Sequence, residues 1–376
     1  MERLVCHDCQ KEYPLASSHF RCTCGGLLDF QADWPPVDPI AAGDGEGLWR
    51  FRAALPFGGA EDRALVASVS LGEGGTPLLP AGGAEPQLWL KADYYMPTLS
   101  FKDRGAVMLA LAAKKFAFRE IAIDSSGNAA CALAAYAARA GLTCHVFVPA
   151  SASAAKLRQI RAHGAVLHAI SGNRSDVAAA AMAAVTENNW YYASHVYNPL
   201  FYQGTKTYFW EILAQCAQRG VQPPQVYILP VGNGTLLLGA YQAFHELIHW
   251  GLLERFPHVV AVQAAACAPL YAAWRQGASV PLQITAEETV AEGIAIAAPP
   301  RGRQILAALR EMNGEMVVVE DDAILAARAD LAARGIYVEK TSAANYAAYR
   351  QLLACRPEFA KSRVVLPLCG AGIKSD

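Results

Sequence analysis

Residues 97–105 read Pro-Thr-Leu-Ser-Phe-Lys-Asp-Arg-Gly and lead directly into a long alanine-rich run of helical character. An ammonium group becomes a nucleophile when its pKa is lowered, and burial beside an apolar wall and other cationic groups lowers it. Phe101 and Arg104 can supply that wall and that charge. Lys102 is therefore a candidate Schiff-base lysine, although the stretch taken alone favours a surface lysine in the first turn of a helix.

Three further stretches point to one shared ligand. They are Ser-Ser-Gly-Asn-Ala at residues 125–129, Gly-Asn-Gly-Thr at residues 232–235 and Leu-Cys-Gly-Ala-Gly-Ile-Lys at residues 368–374. With the Lys102 stretch, and in this order, they resemble the pyridoxal-phosphate (PLP) enzymes of the tryptophan synthase β fold (fold type II), and the threonine synthases most closely. The resemblance covers nearly the whole chain. It implies that Lys102 carries PLP.

The same resemblance assigns roles to the other stretches. The Ser-Gly-Asn loop faces the cofactor ring and the substrate carboxylate, with Asn128 on the ring's 3-hydroxyl, and the glycine-rich loop binds the cofactor phosphate. Glycines also let backbone N–H groups converge on an anion, and Thr235 adds a hydroxyl. The implied sets are Lys102 as the catalytic residue; Lys102, Asn128, Gly232, Asn233, Gly234, Thr235 and Cys369 around the cofactor; and Ser100, Ser125, Ser126, Gly127 and Lys156 around the substrate.

Two of these assignments have an ordinary structural alternative. Lys156 is a candidate ligand for a substrate phosphate, but it also fits a solvated helix face. Residues 125–128 also fit a common Ser/Asn helix cap. For these residues the pattern alone leaves both interpretations open.

Several positions depart from the family's patterns. Its NPTGSFKDRG appears with Met96 for Asn and Leu99 for Gly, and its EGxKT appears at residues 203–207 with Gln for Glu. Residues 72–78 keep the family's GEGxTPL. At the position where the family places a Thr or Ser hydroxyl near the pyridine nitrogen of the cofactor, this chain has Cys369. A thiol is a weaker hydrogen-bond partner than a hydroxyl and cannot hold a proton on that nitrogen as a carboxylate would.

The N-terminal segment carries two cysteine pairs. Cys6 and Cys9 are followed, after twelve intervening residues, by Cys22 and Cys24. This is ribbon spacing for tetrahedral Zn²⁺, and it predicts a structural site because four sulfur ligands leave no coordination position open for catalysis. The second pair is CxC rather than CxxC, so a metal-free or partly oxidised ribbon is the alternative.

Length and composition restrict the class of protein. The 376 residues exceed the usual size of one hydrophobic core. Charged residues make up 17% and the formal net charge is −1, which excludes the basic surface of a nucleic-acid binder. Neither a secretory leader nor an uninterrupted apolar run of about 18 residues is evident. We therefore expect a cytoplasmic protein with a small-molecule substrate, no nucleic-acid or membrane partner and, from the resemblance, a homodimeric state.

Strand and helix patterns alternate along residues 105–250. A final strand is expected near residues 364–368. Alternation of this kind implies a parallel, doubly wound sheet with the ligand at the carboxyl ends of its strands. With the resemblance, we predict an α/β fold with two doubly wound open-sheet lobes, PLP in the cleft and a small N-terminal cysteine ribbon. Near the C-terminal end of the chain, Thr341 or Ser342 is expected to cap the helix that begins after it. The expected boundaries are 1–34 for the zinc-ribbon-like segment, 35–115 and 205–376 for the large PLP-binding lobe, and 116–204 for the small lobe.

The resemblance implies a PLP-dependent lyase that converts O-phosphohomoserine and water to threonine and phosphate, by γ-elimination and then water addition at Cβ. Lys102 would shuttle protons at Cα and Cβ. A Ser/Thr dehydratase and a cysteate-synthase-like β-replacement enzyme are alternatives within the same fold, and the cysteine ribbon favours the threonine synthase. A rival of another class is a zinc-ribbon binding or regulatory protein on a catalytically dead PLP scaffold. The intact Lys102, Asn128 and residues 232–235 argue against it.

Overall fold

A computed structural model describes residues 2–43, 45–83, 85–152 and 154–374, without the side chains of residues 154–156 and 358. Contacts along the chain divide it into two compact units. The lobe boundaries expected from the sequence stay a prediction. Unit 1 comprises Met1–Val37, Gly43–Gly74 and Lys102–Thr205, and unit 2 comprises Asp38–Ala42, Gly75–Phe101 and Lys206–Asp376.

The strands of the described residues are numbered in chain order. They are β1 Arg3–Cys6, β2 Glu12–Pro14, β3 Leu28–Gln31, β4 Leu78–Pro80, β5 Leu88–Lys91, β6 Glu120–Ile123, β7 Thr143–Pro149, β8 Val166–Ile170, β9 Tyr191–Tyr192, β10 Val226–Pro230, β11 His258–Ala264, β12 Glu315–Val319 and β13 Val364–Pro367.

The α-helices are numbered in the same way, and none of them, within the described ranges, is both long enough and apolar enough to cross a membrane. They are α1 Arg63–Val69, α2 Lys102–Lys115, α3 Asn128–Ala140, α4 Ala154–Ala162, α5 Arg174–Asn188, α6 Leu200–Thr205, α7 Thr207–Gln218, α8 Thr235–His249, α9 Pro269–Arg275, α10 Gly302–Glu311, α11 Asp321–Ala333 and α12 Lys340–Cys355.

The cysteine ribbon is a three-stranded antiparallel sheet with the strand order β2-β1-β3. Leu28 and Phe30 of β3 are buried and alternate with more exposed residues, as expected of a strand with one covered face. The ribbon belongs to unit 1, where Phe20 and Leu27 pack against the hydrophobic core of the body. The predicted N-terminal ribbon is therefore present, and it packs on the rest of its unit.

The body of unit 1 is built on a four-stranded parallel sheet with the order β8-β7-β6-β9. Its core includes Ala122 of β6, Phe147 of β7 and Tyr192 of β9, together with Val177 and Val185 of α5. Because each strand is followed by a helix, successive strands run parallel, as the alternating pattern predicted.

Unit 2 contains a six-stranded sheet with the order β12-β11-β10-β13-β5-β4, in which β4 alone among these strands runs antiparallel to its neighbour. Ile228, Val262 and Leu366, from its central strands, are fully buried or nearly so. Strands covered on both faces are expected to be continuously apolar, which is the pattern of β10 and β13. The predicted α/β class with parallel sheets is confirmed.

The predicted cap of α12 is wrong. The helix begins at Lys340 with Glu339 as its N-cap, so Thr341 and Ser342 lie inside its first turn. Their hydroxyls serve other segments instead. Thr341 Oγ1 accepts a hydrogen bond from the Gly293 N–H at 3.1 Å, and Ser342 Oγ accepts one from the Gly370 N–H at 3.2 Å.

Candidate active site

Three predicted site segments of unit 2 leave the same edge of its sheet. β10 pairs in parallel with β13, and β13 pairs in parallel with β5. Their carboxyl ends lead to residues 231–235, to Cys369 and to residues 92–101, respectively. Neighbouring parallel strands end at a common edge, which is where open α/β sheets bind their ligands. The glycine loop, Cys369 and the segment that precedes Lys102 thus follow neighbouring strands at one edge of the sheet.

The loop of residues 232–235 has room only for glycine at two positions. A Cβ on Gly232 would lie 2.9 Å from Ile294 Cα, and a Cβ on Gly234, whose φ is +73°, would lie 2.3 Å from Ile305 Cδ1. Thr235 then begins α8, a helix of 15 residues. The N–H groups of a first helical turn lack partners within the helix, and the helix dipole favours an anion there. The loop therefore has the backbone shape and the electrostatics of a phosphate site.

The segment before Lys102 is held by the segment around Cys369. The Phe101 N–H donates to the Cys369 carbonyl at 2.9 Å, and the Ala371 N–H donates to the Leu99 carbonyl at 3.1 Å. Ser100 and Gly370 form an isolated antiparallel bridge between these two bonds. Cys369 is itself buried. Two predicted site segments that are far apart in sequence are therefore paired through their backbones.

Leu99 and Ser100 each show an unusual feature within this pairing. Leu99 has a φ of +63°, in the left-handed region that glycine adopts without strain, and its side chain is 38% exposed. This explains physically why a glycine stands here in the family's pattern. Ser100 Oγ is buried and finds no hydrogen-bond partner among the described residues. An orphaned buried hydroxyl is the kind of group that a ligand satisfies.

Lys102 is the first residue of α2 in unit 1 and is partly buried, whereas Asp103 and Arg104 are fully buried. Gly105 lets α2 approach α6, because a Cβ there would lie 2.4 Å from the Phe201 ring. The motif thus places its lysine at the start of a helix and uses its last three residues to anchor that helix.

A histidine that the sequence analysis did not single out lies in the electrostatic neighbourhood of Lys102. His195 is 6% exposed. Burial holds the pKa of His195 well below its usual value, and the positive charges of Lys102 and Arg174 lower it further. This imidazole is therefore neutral beside the lysine. No local pattern marks His195, since it lies in an irregular segment after β9.

Residues 125–128 connect β6 to α3 in unit 1. Gly127 is the N-cap of α3, and no side chain of the described residues caps this helix; Ser125 Oγ instead accepts a hydrogen bond from the Gly127 N–H at 3.3 Å. The alternative of an ordinary Ser/Asn cap therefore lacks its defining bond at Gly127, and the dipole of α3 favours a carboxylate at this end of the helix. Lys156 falls in α4, and its side chain lies outside the described part of the structure.

Helix α3 is held by the buried carboxylate of Glu73, which the sequence shows only as part of the family's GEGxTPL pattern. Glu73, fully buried, accepts hydrogen bonds from Trp49 Nε1 at 2.8 Å and from Tyr136 Oη at 3.0 Å. Tyr136 lies in α3, eight residues after Asn128. The Gly-Glu-Gly-Gly turn thus supports the helix that carries Asn128, and the signal in the sequence was an acidic residue between glycines.

The four N-terminal cysteines are the candidate metal ligands that the described residues bring together. Their sulfur atoms all lie within 4.8 Å of one another, with 3.5 Å between Cys6 and Cys24 and 3.4 Å between Cys9 and Cys22. Tetrahedral zinc with bonds of about 2.3 Å requires sulfurs about 3.8 Å apart. Hydrogen bonds from the Cys24 N–H and the Tyr13 hydroxyl lower the pKa of the Cys22 thiol to about 5, whereas the neighbouring thiols raise the pKa of Cys9 and Cys24. The arrangement fits a structural zinc ion.

Comparison with known proteins identifies the family. The model of the family described as pyridoxal-phosphate dependent enzyme matches residues 69–370. The chain is 31% identical over 381 residues to the threonine synthase of Methanocaldococcus jannaschii, covering 98% of this chain and 92% of that protein. The chain belongs to the threonine synthase family of pyridoxal-phosphate dependent enzymes.

Two further similarities agree with this membership in the threonine synthase family. The threonine synthase of Methanosarcina acetivorans is 32% identical over 364 residues, covering 94% of this chain and 87% of that protein. The crystal structure of a T.th. threonine deaminase matches with a TM-score of 0.65 and 28% identity, covering 76% of this chain and 87% of that chain. The resemblance drawn from the four sequence stretches is confirmed, while the roles of the individual residues stay predictions.

Proposed function

We propose that the protein is a PLP-dependent lyase that converts O-phosphohomoserine and water into threonine and phosphate. The observation that carries the proposal is the similarity to a threonine synthase across 98% of the chain. The candidate lysine, the Ser-Gly-Asn loop and the glycine-rich loop all lie within the matched region. The substrate is therefore proposed to be a phosphorylated amino acid.

The residues of each unit, taken by themselves, fit the cofactor. In unit 2, residues 232–234 lead into the first turn of α8, whose N–H groups and helix dipole suit the PLP phosphate. Cys369 would face the pyridine nitrogen. In unit 1, Lys102 would bind the cofactor and Asn128 would contact its 3-hydroxyl. When bound, PLP supplies an electron sink for the negative charge that develops at the substrate carbons.

The chain's own groups have separate tasks in the reaction. The loop of residues 125–127, which leads into the N-terminus of α3, would orient the substrate carboxylate. Lys102 moves protons at Cα and Cβ while phosphate leaves from Cγ and a water oxygen adds at Cβ. Ser100 Oγ would gain a partner from the bound ligand, and Lys156 would neutralise the substrate phosphate.

Zinc and assembly complete the proposal. Cys6, Cys9, Cys22 and Cys24 would hold one zinc ion whose role is structural, since all four ligand positions are sulfur. From the family resemblance we propose a homodimer that works in the cytoplasm.

The competing function within the same fold is a Ser/Thr dehydratase, which the structural similarity to a threonine deaminase favours. Product analysis separates the two. The PLP-loaded protein is incubated in turn with O-phosphohomoserine, O-phosphoserine, serine and threonine. We expect threonine and inorganic phosphate in equal amounts from O-phosphohomoserine. Oxo-acid and ammonia formed from serine or threonine, with O-phosphohomoserine unconsumed, would make the dehydratase the correct assignment.

A further inference from the structure

Two of the residues through which the cysteine ribbon contacts the body of unit 1, Phe20 and Arg21, immediately precede Cys22. Arg21 Nη2 donates a hydrogen bond to Tyr197 Oη at 3.0 Å, and its guanidinium carbon lies 4.8 Å from the centre of the Tyr197 ring. The ring of Phe20 packs edge-on against Tyr192, with 4.9 Å between the ring centres. Tyr192 and Tyr197 stack on each other at 5.9 Å. Cys22, one of the four candidate metal ligands, thus directly follows two residues whose side chains pack on the pair formed by Tyr192 and Tyr197.

The same tyrosine pair holds the residue at which the Ser-Gly-Asn loop begins. Tyr192, which is 2% exposed, ends β9 and donates from Oη to Asp124 Oδ1 at 2.7 Å. Asp124 follows β6 and immediately precedes Ser125. Burial raises the pKa of the Asp124 carboxyl, and the hydrogen bond from Tyr192 opposes that rise. The direction in which the backbone leaves β6 is therefore tied to the position of Tyr192.

We propose that the metal-bound ribbon positions the loop of residues 125–128 through these contacts. Asp124 and Tyr192 are the positioning residues, and Phe20 and Arg21 connect them to the ribbon. The inference rests on the proposed function, in which this loop orients the substrate carboxylate. Under this proposal, the structural zinc site also affects substrate binding.

The ribbon needs the metal to perform this role. Three short strands bury too little apolar surface to be stable alone, and metal binding to such a segment contributes directly to its folding. With the metal removed, the segment that carries Phe20 and Arg21 loses the support of a folded ribbon.

The first test compares two arginines of the ribbon. Arg21→Ala removes the contact with Tyr197, whereas Arg3→Ala removes an arginine whose described partners, Glu12 and Gln31, belong to the ribbon itself. In Arg21→Ala we expect KM for O-phosphohomoserine to rise about tenfold, kcat to change by less than about twofold, and zinc content to stay the same. Arg3→Ala should match the wild type in all three. Equal KM values for Arg21→Ala and the wild type would overturn the proposal, as would an equal rise in Arg3→Ala.

The second test does not depend on turnover. Hydrogen–deuterium exchange of the backbone N–H groups in residues 125–131 is measured on the full chain before and after zinc removal by a chelator. We expect faster exchange after removal, and Tyr192→Phe, which keeps the ring but loses the hydroxyl, should show the faster exchange with zinc still bound. Unchanged exchange in both would refute the coupling. Failure to turn over O-phosphohomoserine would instead refute the proposed function, so the two failures are distinguishable.

Discussion

Leu99 shows at the scale of one residue how a departure from a family pattern becomes interpretable only in the structure. The sequence shows Leu where the family has Gly, and the structure shows a φ of +63° at that position. A left-handed backbone costs a non-glycine residue about 1–2 kcal/mol. The side chain is partly exposed, so its packing does not obviously offset this cost. The strain lies three residues before the candidate catalytic lysine, where strained backbone is often retained for function.

Replacing Leu99 by glycine should therefore stabilise the protein. We expect Leu99→Gly to raise the free energy of unfolding by about 0.5–1 kcal/mol, because relief of strain exceeds the entropy that glycine loses on folding. Leu325, a similarly exposed leucine within α11, provides the control, and Leu325→Gly should lower the same quantity by about 1 kcal/mol. Urea unfolding measures both. A loss of stability in Leu99→Gly equal to that in Leu325→Gly would show that the backbone at this position is not strained.

Cys369 supports a second prediction at this scale, because a thiol and a carboxylate act differently on a pyridine nitrogen. Cys369→Thr should keep the activity and the visible absorption of the PLP-loaded protein. Cys369→Asp should change the absorption and the product ratio, since a carboxylate stabilises a protonated ring nitrogen and a hydroxyl makes only a neutral hydrogen bond. An unchanged spectrum and unchanged products in an Asp variant that still binds PLP would place Cys369 away from the ring.

At the scale of elements, the sequence predicts best where burial alone decides the structure. β13 is continuously apolar, and the strand expected near residues 364–368 is found at Val364–Pro367. The cap of α12 was wrong because Thr341 and Ser342 bond to distant backbone groups, Gly293 and Gly370, which no local pattern reveals. Local patterns in a single sequence do not reveal hydrogen-bond partners that are this far apart in the chain.

The residues of the candidate site divide in the same way, into those that local patterns reveal and those that depend on distant partners. The glycine loop, Lys102 and the four clustered cysteines could be found from local patterns, since each depends on closely spaced residue types. Asp124 and Tyr192 could not be found, because their importance comes from partners 68 residues apart in the chain, and Glu73 was marked only by its position between glycines. A buried polar residue becomes informative only when its partners are known.

The ribbon gives a prediction at the scale of an element. Purified protein should contain about one zinc ion per chain, and Cys22→Ser should contain close to none, because the loss of one thiolate breaks the four-sulfur set. Cys355 is an exposed cysteine outside the cluster, so Cys355→Ser should keep its zinc. Elemental analysis of the two variants decides the point. Zinc retained by Cys22→Ser, or lost equally by both, would contradict the assignment.

At the scale of the whole molecule, the family's motifs mark where the chain passes from one compact unit to the other. The passages after Gly74, after Phe101 and after Thr205 fall within the Gly-Glu-Gly-Gly, Ser-Phe-Lys-Asp-Arg-Gly and Gln-Gly-Thr-Lys-Thr stretches. Each unit has its own sheet, parallel except for β4 of unit 2, and its own share of the candidate residues. Lys102 is the first residue after one such passage, and the account depends on its identity as the lysine that binds PLP.

That identity is tested most directly by borohydride reduction of the PLP-loaded protein, which makes the bond between cofactor and lysine permanent. The reduced protein is digested and its peptides are analysed by mass spectrometry, with Lys102→Ala as the control. We expect one modified lysine per chain, located at Lys102, and no modification in the variant. Modification at another lysine, such as Lys156 or Lys206, or an equal yield from Lys102→Ala, would contradict this expectation.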